Sequence, residues 1–551
     1  MKAFRLKILL SAMRVLLIWP LLCFLFSCSK PVDLLVKNAV IITVDSSMTQ
    51  VSTMVIHQGK IIALGDSSLC KHYQPKEIID ANGLYIYPGF QDAHCHFSGY
   101  SFDLEKLNLE GSTSIEDIIT RCKEFQKETK CTWLQGRQWD EHHFHSKQTP
   151  DKTLLDKAFP NLPVFLLRVD GHAALCNQKA LDLAGITTST SISGGRIGIT
   201  NNQLNGMVYD KAMQQVSSFI PDENEQYAIP YFQKTEKLFF EHGITSFTDC
   251  MVENSWMHAL EKAYAEKRLQ IRGSYVLTST KENVQQYLSK KVKNNTYQIC
   301  GFKVFADGSL GSYGAYMLEP YTDKPERSGY MSISTDSLRL LAQQIISTHY
   351  QLFVHAIGDR ANKEVLDIMA QVLPASNNKR WRVEHAQVVA PEDVSKFRSS
   401  NIIPSVQPTH ATSDMHWVEN RLGPARSKYA YAYKTLLKQL DWMPLGTDFP
   451  VEKINPLHTF YAAVARKNED EEPDNGFQPE NALTREEALR GITYWPAKAV
   501  FNEHLTGSLV VGKEADFVLL PVNLLSDDLK MIRESTVLAT YLHGKKVFEK
   551  H

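Results

Sequence analysis

Neither charge sign is in excess. Sixty Lys and Arg stand against 61 Asp and Glu, for a formal net charge of -1, so there is no electrostatic footprint for nucleic acid. Cysteine is sparse and unpatterned: after the first thirty residues seven remain (70, 95, 122, 131, 176, 250 and 300), an odd number with no CxxC pair. That argues against a disulfide framework, although one bridge, Cys122 to Cys131, is compatible with an oxidising compartment. The other thiols read as small buried residues. No repeat of solenoid period and no low-complexity tract occurs. With 43% apolar and 22% charged residues, the 551-residue chain has the balance of a globular protein with one large domain and smaller additions.

No apolar run is long enough to span a bilayer stably. The stretch VLLIWPLLCFLF (15–26) follows a basic segment with Lys2, Arg5, Lys7 and Arg14, which is the layout of a secretory leader. It ends in LFSC (25–28), which resembles a bacterial lipobox. This predicts a signal peptide over 1–27, lipidation of Cys28, and a protein held by lipid on the bacterial cell envelope, on the periplasmic side or outer membrane. An uncleaved N-terminal anchor is the alternative, and either places the body outside the cytoplasmic membrane.

What is present is a two-part rhythm. Residues 28–87 alternate short β-rich segments with turns (VDLLVKNAVIITVD, VSTMVIHQGKIIALGD, KEIIDANGLYIYPG), and the same texture returns over 501–551 in TGSLVVGKEADFVLLP and VLATYLHGKKVFEK. These predict one small β-sandwich domain built from both chain ends. Between them, over 88–500, eight apolar runs alternate with helical stretches: GLYIYPGFQDAHCH, ITSFTDC, IRGSYVL, CGFKVFADG, QLFVHAIGD, WRVEHAQVV, IIPSVQP and WMPLGTDFP. Eight buried strands alternating with helices predict an α/β fold of the (β/α)8 TIM-barrel kind, with catalytic groups at the C-terminal strand ends. Residues from about 100 to 235 break the rhythm and read as an inserted lid or subdomain.

The chemistry begins in GFQDAHCHF (89–97). Strand alternation puts Asp92, His94 and His96 on one face and Cys95 on the other, so a zinc knuckle through Cys95 would need a bend, whereas the two imidazoles can chelate one cation. HxH alone is weak evidence, and a polar strand end is the plain alternative. The other strands change the balance. His355 in VHAIGD and His385 in RVEHAQ lie 30 residues apart, about one βα unit, Asp448 ends the eighth run in GTDFP, and Lys303 sits in the fourth in KVFADGSLGS. Four histidines and an aspartate at barrel strand ends are poorly explained by coincidence.

GFQDAHCH, KVFADGSLGS, VHAIGDRAN, RVEHAQ and GTDFPVE, in this order, resemble the metal-dependent amidohydrolase superfamily, and within it the branch of YtcJ-like proteins and N-substituted formamide deformylases. The resemblance covers nearly the whole chain after the leader. It implies that His94 and His96 hold the more buried metal, that His355 and His385 hold the second, and that Asp448 binds metal and takes a proton. It implies further that Lys303 reacts with carbon dioxide to form a carbamate bridge; an unmodified Lys303 in a one-metal site, or one paired with an acid, is the alternative. The implied cofactors are two divalent ions, zinc by ligand type, with cobalt, manganese and iron fitting the same donors.

The implied reaction is hydrolysis of a non-peptide carbon–nitrogen bond (N-formyl, N-acyl or cyclic amide) by a metal-activated hydroxide, with Asp448 as general acid and base. Neither Ser/His/Asp nor cysteine chemistry is needed. An esterase or phosphoesterase on the same site, and a lipid-anchored binding protein without catalysis, are the competing readings. The partners are then a small amide-type molecule and the membrane through the lipid, with a homodimer as a possible assembly.

Weaker candidates remain. GHAAL (171–175) resembles a motif placed over the pocket, which makes His172 a substrate contact or a buried structural histidine. Arg360 meets an anionic substrate group or a surface carboxylate. HHFH (142–145) reads as a solvated loop, and the glycines of DGSLGSYG (307–314) as room for backbone near the site rather than a phosphate cradle, since no GK[ST] follows. Loading with zinc and bicarbonate is expected to give about two metals per chain by elemental analysis; a value near one would count against a carboxylated Lys303.

Overall fold

A computed structural model describes residues 29–221, 228–374 and 376–550. The expected signal peptide over 1–27 and Cys28 lie outside the described residues.

At Gly89 one expected strand becomes two. Tyr85–Pro88 pairs antiparallel with Phe517–Leu520 and parallel with Val40–Ile42, whereas Phe90–Cys95 pairs parallel with Ile244–Val252. The crossing demands glycine, because a Cβ at position 89 would stand 2.2 Å from Thr245 Oγ1. The run GLYIYPGFQDAHCH therefore serves two sheets, which its unbroken apolar pattern conceals.

The second of these sheets is the barrel. Its strands are β1 (Phe90–Cys95), β2 (Ile244–Val252), β3 (Arg272–Thr278), β4 (Tyr297–Phe305), β5 (Gln351–Ala356), β6 (Arg382–His385) and β7 (Ile403–Ser405), all parallel and hydrogen-bonded in chain order. Seven rather than eight strands form the ladder. The eighth run supplies a closing segment instead: Gly446 N donates to Val406 O at 3.0 Å on one side, and on the other Ala93 N donates to Leu445 O at 3.2 Å and Asp448 N to His94 O at 2.7 Å. Pro444 lacks an N–H and Asp448 has φ 59°, so the segment cannot run as a regular strand. The strands are buried on both faces and packed by helices such as Ala228–Glu241, Thr335–Ile346 and Asp359–Val372, which share one apolar core with them.

The chain ends form two further sheets. One orders Lys60–Gly65, Thr53–His57, Lys30–Lys37 and Tyr73–Asp80; the other has six strands and includes Tyr85–Pro88, Phe517–Leu520 and Ala539–Leu542. Leu34, Val36, Met54 and Ile56 from the first meet Ile41, Ile86, Phe517 and Leu519 from the second in a core of their own. Arg272 at the start of β3 ties the barrel to this unit through Asp516 (2.7 Å) and Glu514 (3.1 Å).

Between β1 and β2 the chain builds a six-stranded mixed sheet from Leu107–Asn108, Leu134–Trp139, Val164–Arg168, Ala173–Cys176, Gln203–Asp210 and Gly195–Thr200. Strand alternation sends Leu166, Leu175 and Met207 to one core and Phe165, Ala174 and Val208 to another. All seven cysteines in the described residues are free; Cys122 is sealed in the first of these cores with Cys131 packed beside it as a thiol, so the Cys122–Cys131 bridge is not formed.

Gly89→Ala is expected to cost about 1–3 kcal/mol by overpacking. Chemical denaturation checks it: adding Thr245→Ala is expected to restore part of the loss, and a neutral Gly89→Ala would contradict the role given to this glycine.

Candidate active site

His94 lies in β1 with its backbone N–H bonded to Asp92 Oδ1 (3.1 Å), and Asp92 also receives Thr447 N (3.0 Å) and Thr447 Oγ1 (2.5 Å) from the closing segment. Burial pushes the Asp92 carboxyl up to about 7 against those three donors. Asp92 is thus a clamp between β1 and the closing segment. Cys95 points the other way, its Sγ 3.6 Å from Thr248 O in the core, so the zinc-knuckle alternative is excluded.

The clamp brings the expected residues to one place. His96 Nε2 is 3.0 Å and His94 Nε2 3.4 Å from Asp448 Oδ1; His385 Nδ1 is 3.9 Å from Asp448 Oδ2; and Lys303 Nζ is 3.4 Å from His94 Nε2. One ligand atom each from His94, His385 and Asp448 falls within 4.8 Å of the others, a spacing that could hold a metal ion. His355 is packed against His385 with ring centroids 4.6 Å apart, and its Nε2 lies 3.5 Å from Gly308 O and from Asp307 Oδ1. Glycine-like backbone recurs here: His385 has φ 73°, Ala386 φ 43° and Asp448 φ 59°, the kind of strain that concentrates at functional sites.

Electrostatics suits cation binding. Burial lowers His94 to about 4, aided by Lys303, and holds His355 and His385 well below the usual range, so these rings are neutral and can offer lone pairs. Burial alone would raise Asp448, but His94, His96 and His385 keep it well below the ordinary carboxylate range. Lys303 is 2% exposed, with its ammonium over the Phe305 ring at 5.1 Å, and no carboxylate among the described residues pairs with it. The alternative of a lysine paired with an acid does not apply.

Three groups escaped the sequence reading. Glu384, beside His385 in RVEHAQ, accepts from His94 Nδ1 at 2.5 Å and from Arg382 at 2.6 Å, all three fully buried. Burial opposes the Glu384 charge, but Arg382 and His94 hold its carboxyl well below the usual range. With the His94 Nδ1 proton on Glu384, Nε2 is left as a lone pair facing the cluster. His410 follows β7 by five residues, on helix Pro408–Asp414; its Nε2 is 3.5 Å from Asp448 Oδ2 and its Nδ1 3.1 Å from Gln387 Nε2. Its only sequence signal was a position just past the C-terminal end of a barrel strand. Asp210 is the third, its Oδ1 2.7 Å from His172 Nδ1.

The weaker candidates divide. His172 comes down from the inserted sheet onto the barrel, its ring 4.9 Å from that of His355. Arg360 does not join the cluster: it is exposed at the start of helix Asp359–Val372, with its guanidinium stacked over Tyr316 at 4.8 Å. In HHFH, His143 and His145 are exposed, but His142 is not a solvated residue. It is half-buried, stacks on Trp417 (5.5 Å) and bonds Asp140. Arg168 satisfies the acids beside it, reaching Asp140 (2.7 Å), Glu141 (2.6 Å) and Asp170 (2.8 Å).

A parallel α/β barrel whose strand ends gather imidazoles, a carboxylate and an unpaired buried lysine defines the class of metal-dependent barrel hydrolases. The comparisons give the family. A model described as the amidohydrolase family matches residues 77–548, and the chain belongs to that family, whose members are in general metal-dependent. The chain is 30% identical to the putative amidohydrolase YtcJ of Bacillus subtilis over 86% of this chain and 91% of that protein. It is 24% identical to the N-substituted formamide deformylase of Arthrobacter pascens over 94% and 98%. The crystal structure of an uncharacterized metal-dependent hydrolase from Pyrococcus horikoshii matches with a TM-score of 0.73 and 27% identity, covering 90% of this chain and 99% of that one.

Glu384→Gln is expected to weaken zinc binding about 10–100-fold and, by leaving Arg382 buried without its carboxylate, to cost about 3–5 kcal/mol. Chelator competition and denaturation of the metal-free protein measure the two; unchanged zinc affinity would remove Glu384 from the site.

Proposed function

We propose that this amidohydrolase cleaves a non-peptide carbon–nitrogen bond of amide type, N-formyl or N-acyl, in a small molecule. The observation that carries the reading is the convergence of His94, His96, His385 and Asp448 with a buried Lys303 that pairs with no acid among the described residues. The resemblance to a formamide deformylase along nearly the whole chain supports the choice of bond.

The residues fit divalent ions. His94 Nε2 is a lone pair held toward a carboxylate oxygen at 3.4 Å, an arrangement that a cation between them would satisfy, and Nε2 of His410 and Nδ1 of His96 are buried without a hydrogen bond to any of the described residues. His94, His96 and Asp448 would hold one ion and His355 and His385 a second, with Lys303, carboxylated by carbon dioxide, shared by both; imidazole and carboxylate donors suit zinc. Bound metal supplies a water made acidic near neutrality and a polarised carbonyl.

The chain does the rest. Glu384 fixes the His94 ring, and Asp92 fixes the segment that carries Asp448. The Asp448 carboxylate accepts a proton from the attacking water and returns it to the leaving nitrogen as the carbon–nitrogen bond breaks. The inserted sheet acts as a lid whose residues choose the substrate, and the two terminal sheets act as a sandwich domain beside the barrel. The basic leader, the short apolar run and Cys28 support lipid anchoring in the cell envelope.

A panel of formamides, N-acyl amides, cyclic amides and carboxylic and phosphoric esters, with Lys303→Ala and Asp448→Ala as controls, tests the proposal. Turnover of an amide by the zinc-loaded protein is expected, with each control losing at least about a hundredfold. Ester turnover alone would move the activity to the esterase reading, and no turnover of either class would leave only a binding role.

A further inference from the structure

Asp210 stands at the end of the inserted strand Gln203–Asp210 with φ 48° and ψ -119°, a region that glycine occupies freely and other residues avoid. It precedes helix Lys211–Ser217 but makes no side-chain cap bond to it. A residue held in strained backbone, at a helix start it does not cap, must be kept for its side chain. That side chain is fully committed: Oδ1 bonds His172 Nδ1 at 2.7 Å, and Oδ2 accepts from Tyr330 Oη.

The barrel is shaped around the same carboxylate. A Cβ at Gly308 would stand 2.8 Å, and one at Gly314 3.3 Å, from Asp210 Oδ2. Gly308 and Gly314 of DGSLGSYG thus make room for Asp210, a residue from the other sheet. With Nδ1 on Asp210, His172 is fixed with its ring 4.9 Å from His355 and 5.9 Å from Phe305. Its Nε2 makes no hydrogen bond to another of the described residues, and the side chain keeps 13% exposure.

We propose that Asp210 is a positioning residue that locks the His172 imidazole by its Nδ1–H, so that Nε2 meets the substrate at the His355 side of the site. The inserted sheet then contributes to the pocket a hydrogen-bonding nitrogen of fixed direction, and the backbone strain at 210 is the stability given up for it. The substrate half of this inference rests on the hydrolytic reading above; the locking of His172 does not.

The test compares full-length, zinc-loaded wild type with Asp210→Gly, Asp210→Asn and His172→Gln. Asp210→Gly relieves the strain but leaves His172 Nδ1 and Tyr330 Oη without their acceptor, so it is expected to fold and to retain its metal. It should lose the downfield imidazole N–H resonance that His172→Gln also removes. On the amide or ester that wild type turns over, KM is expected to rise about tenfold or more, and Asp210→Asn, which can still accept the Nδ1–H, to recover part of it. An Asp210→Gly protein that keeps the resonance, or keeps its KM, overturns the proposal. A wild type that turns over nothing removes the hydrolytic reading, while the resonance still judges Asp210.

Discussion

The site depends on one seam, where the segment around Asp448 closes the barrel against β1. The bonds that shut the barrel there are the bonds that assemble the chemistry: Asp448 N to His94 O at 2.7 Å, His96 N to Phe449 O at 2.8 Å, and the Asp92 carboxylate clamped onto Thr447. Gly446 lets the two backbones approach, since a Cβ there would lie 2.6 Å from His94 N. A change that loosens this seam separates Asp448 from His94 and His96 even though none of the three is altered. Folding and site assembly are therefore the same event on this side of the barrel.

Around the seam the protein manages charge by pairing what must be charged and keeping neutral what must donate. Arg382 and Glu384 form a buried pair that costs desolvation, yet Glu384 uses its remaining capacity to set the His94 tautomer. His355 and His385 are held neutral by burial. Lys303 is the exception, a buried lysine that pairs with no acid among the described residues. The proposed carboxylation would turn that amine into an anion, which is why the lysine, rather than any histidine, distinguishes the two-metal reading from a one-metal one.

Much of this was legible in the sequence because it is local and periodic. Buried parallel strands read as apolar runs, and a His, Lys or Asp at the end of such a run is visible without a partner. What was illegible depends on contacts distant in sequence or on backbone that breaks the pattern. The first run hid two strands because only Gly89, against Thr245, marks the division. The eighth formed no ladder because Pro444 and the φ of Asp448 interrupt it. Glu384 looked like any strand carboxylate until His94, 290 residues away, was placed on it. Asp210 gave no signal, since its partner His172 is 38 residues earlier. Arg360 was legible as a charge but not as a stacked, exposed one, and His142 as polar but not as the base of a buried Arg168 network.

Diffraction from crystals of the zinc-loaded protein grown with bicarbonate, with data on both sides of the zinc absorption edge, measures the central claim directly. Two anomalous peaks are expected at the strand ends, one against His94, His96 and Asp448 and one against His355 and His385, with extra density on Lys303 Nζ lying between them. A single peak with Lys303 unmodified, or zinc held elsewhere in the chain, would contradict it.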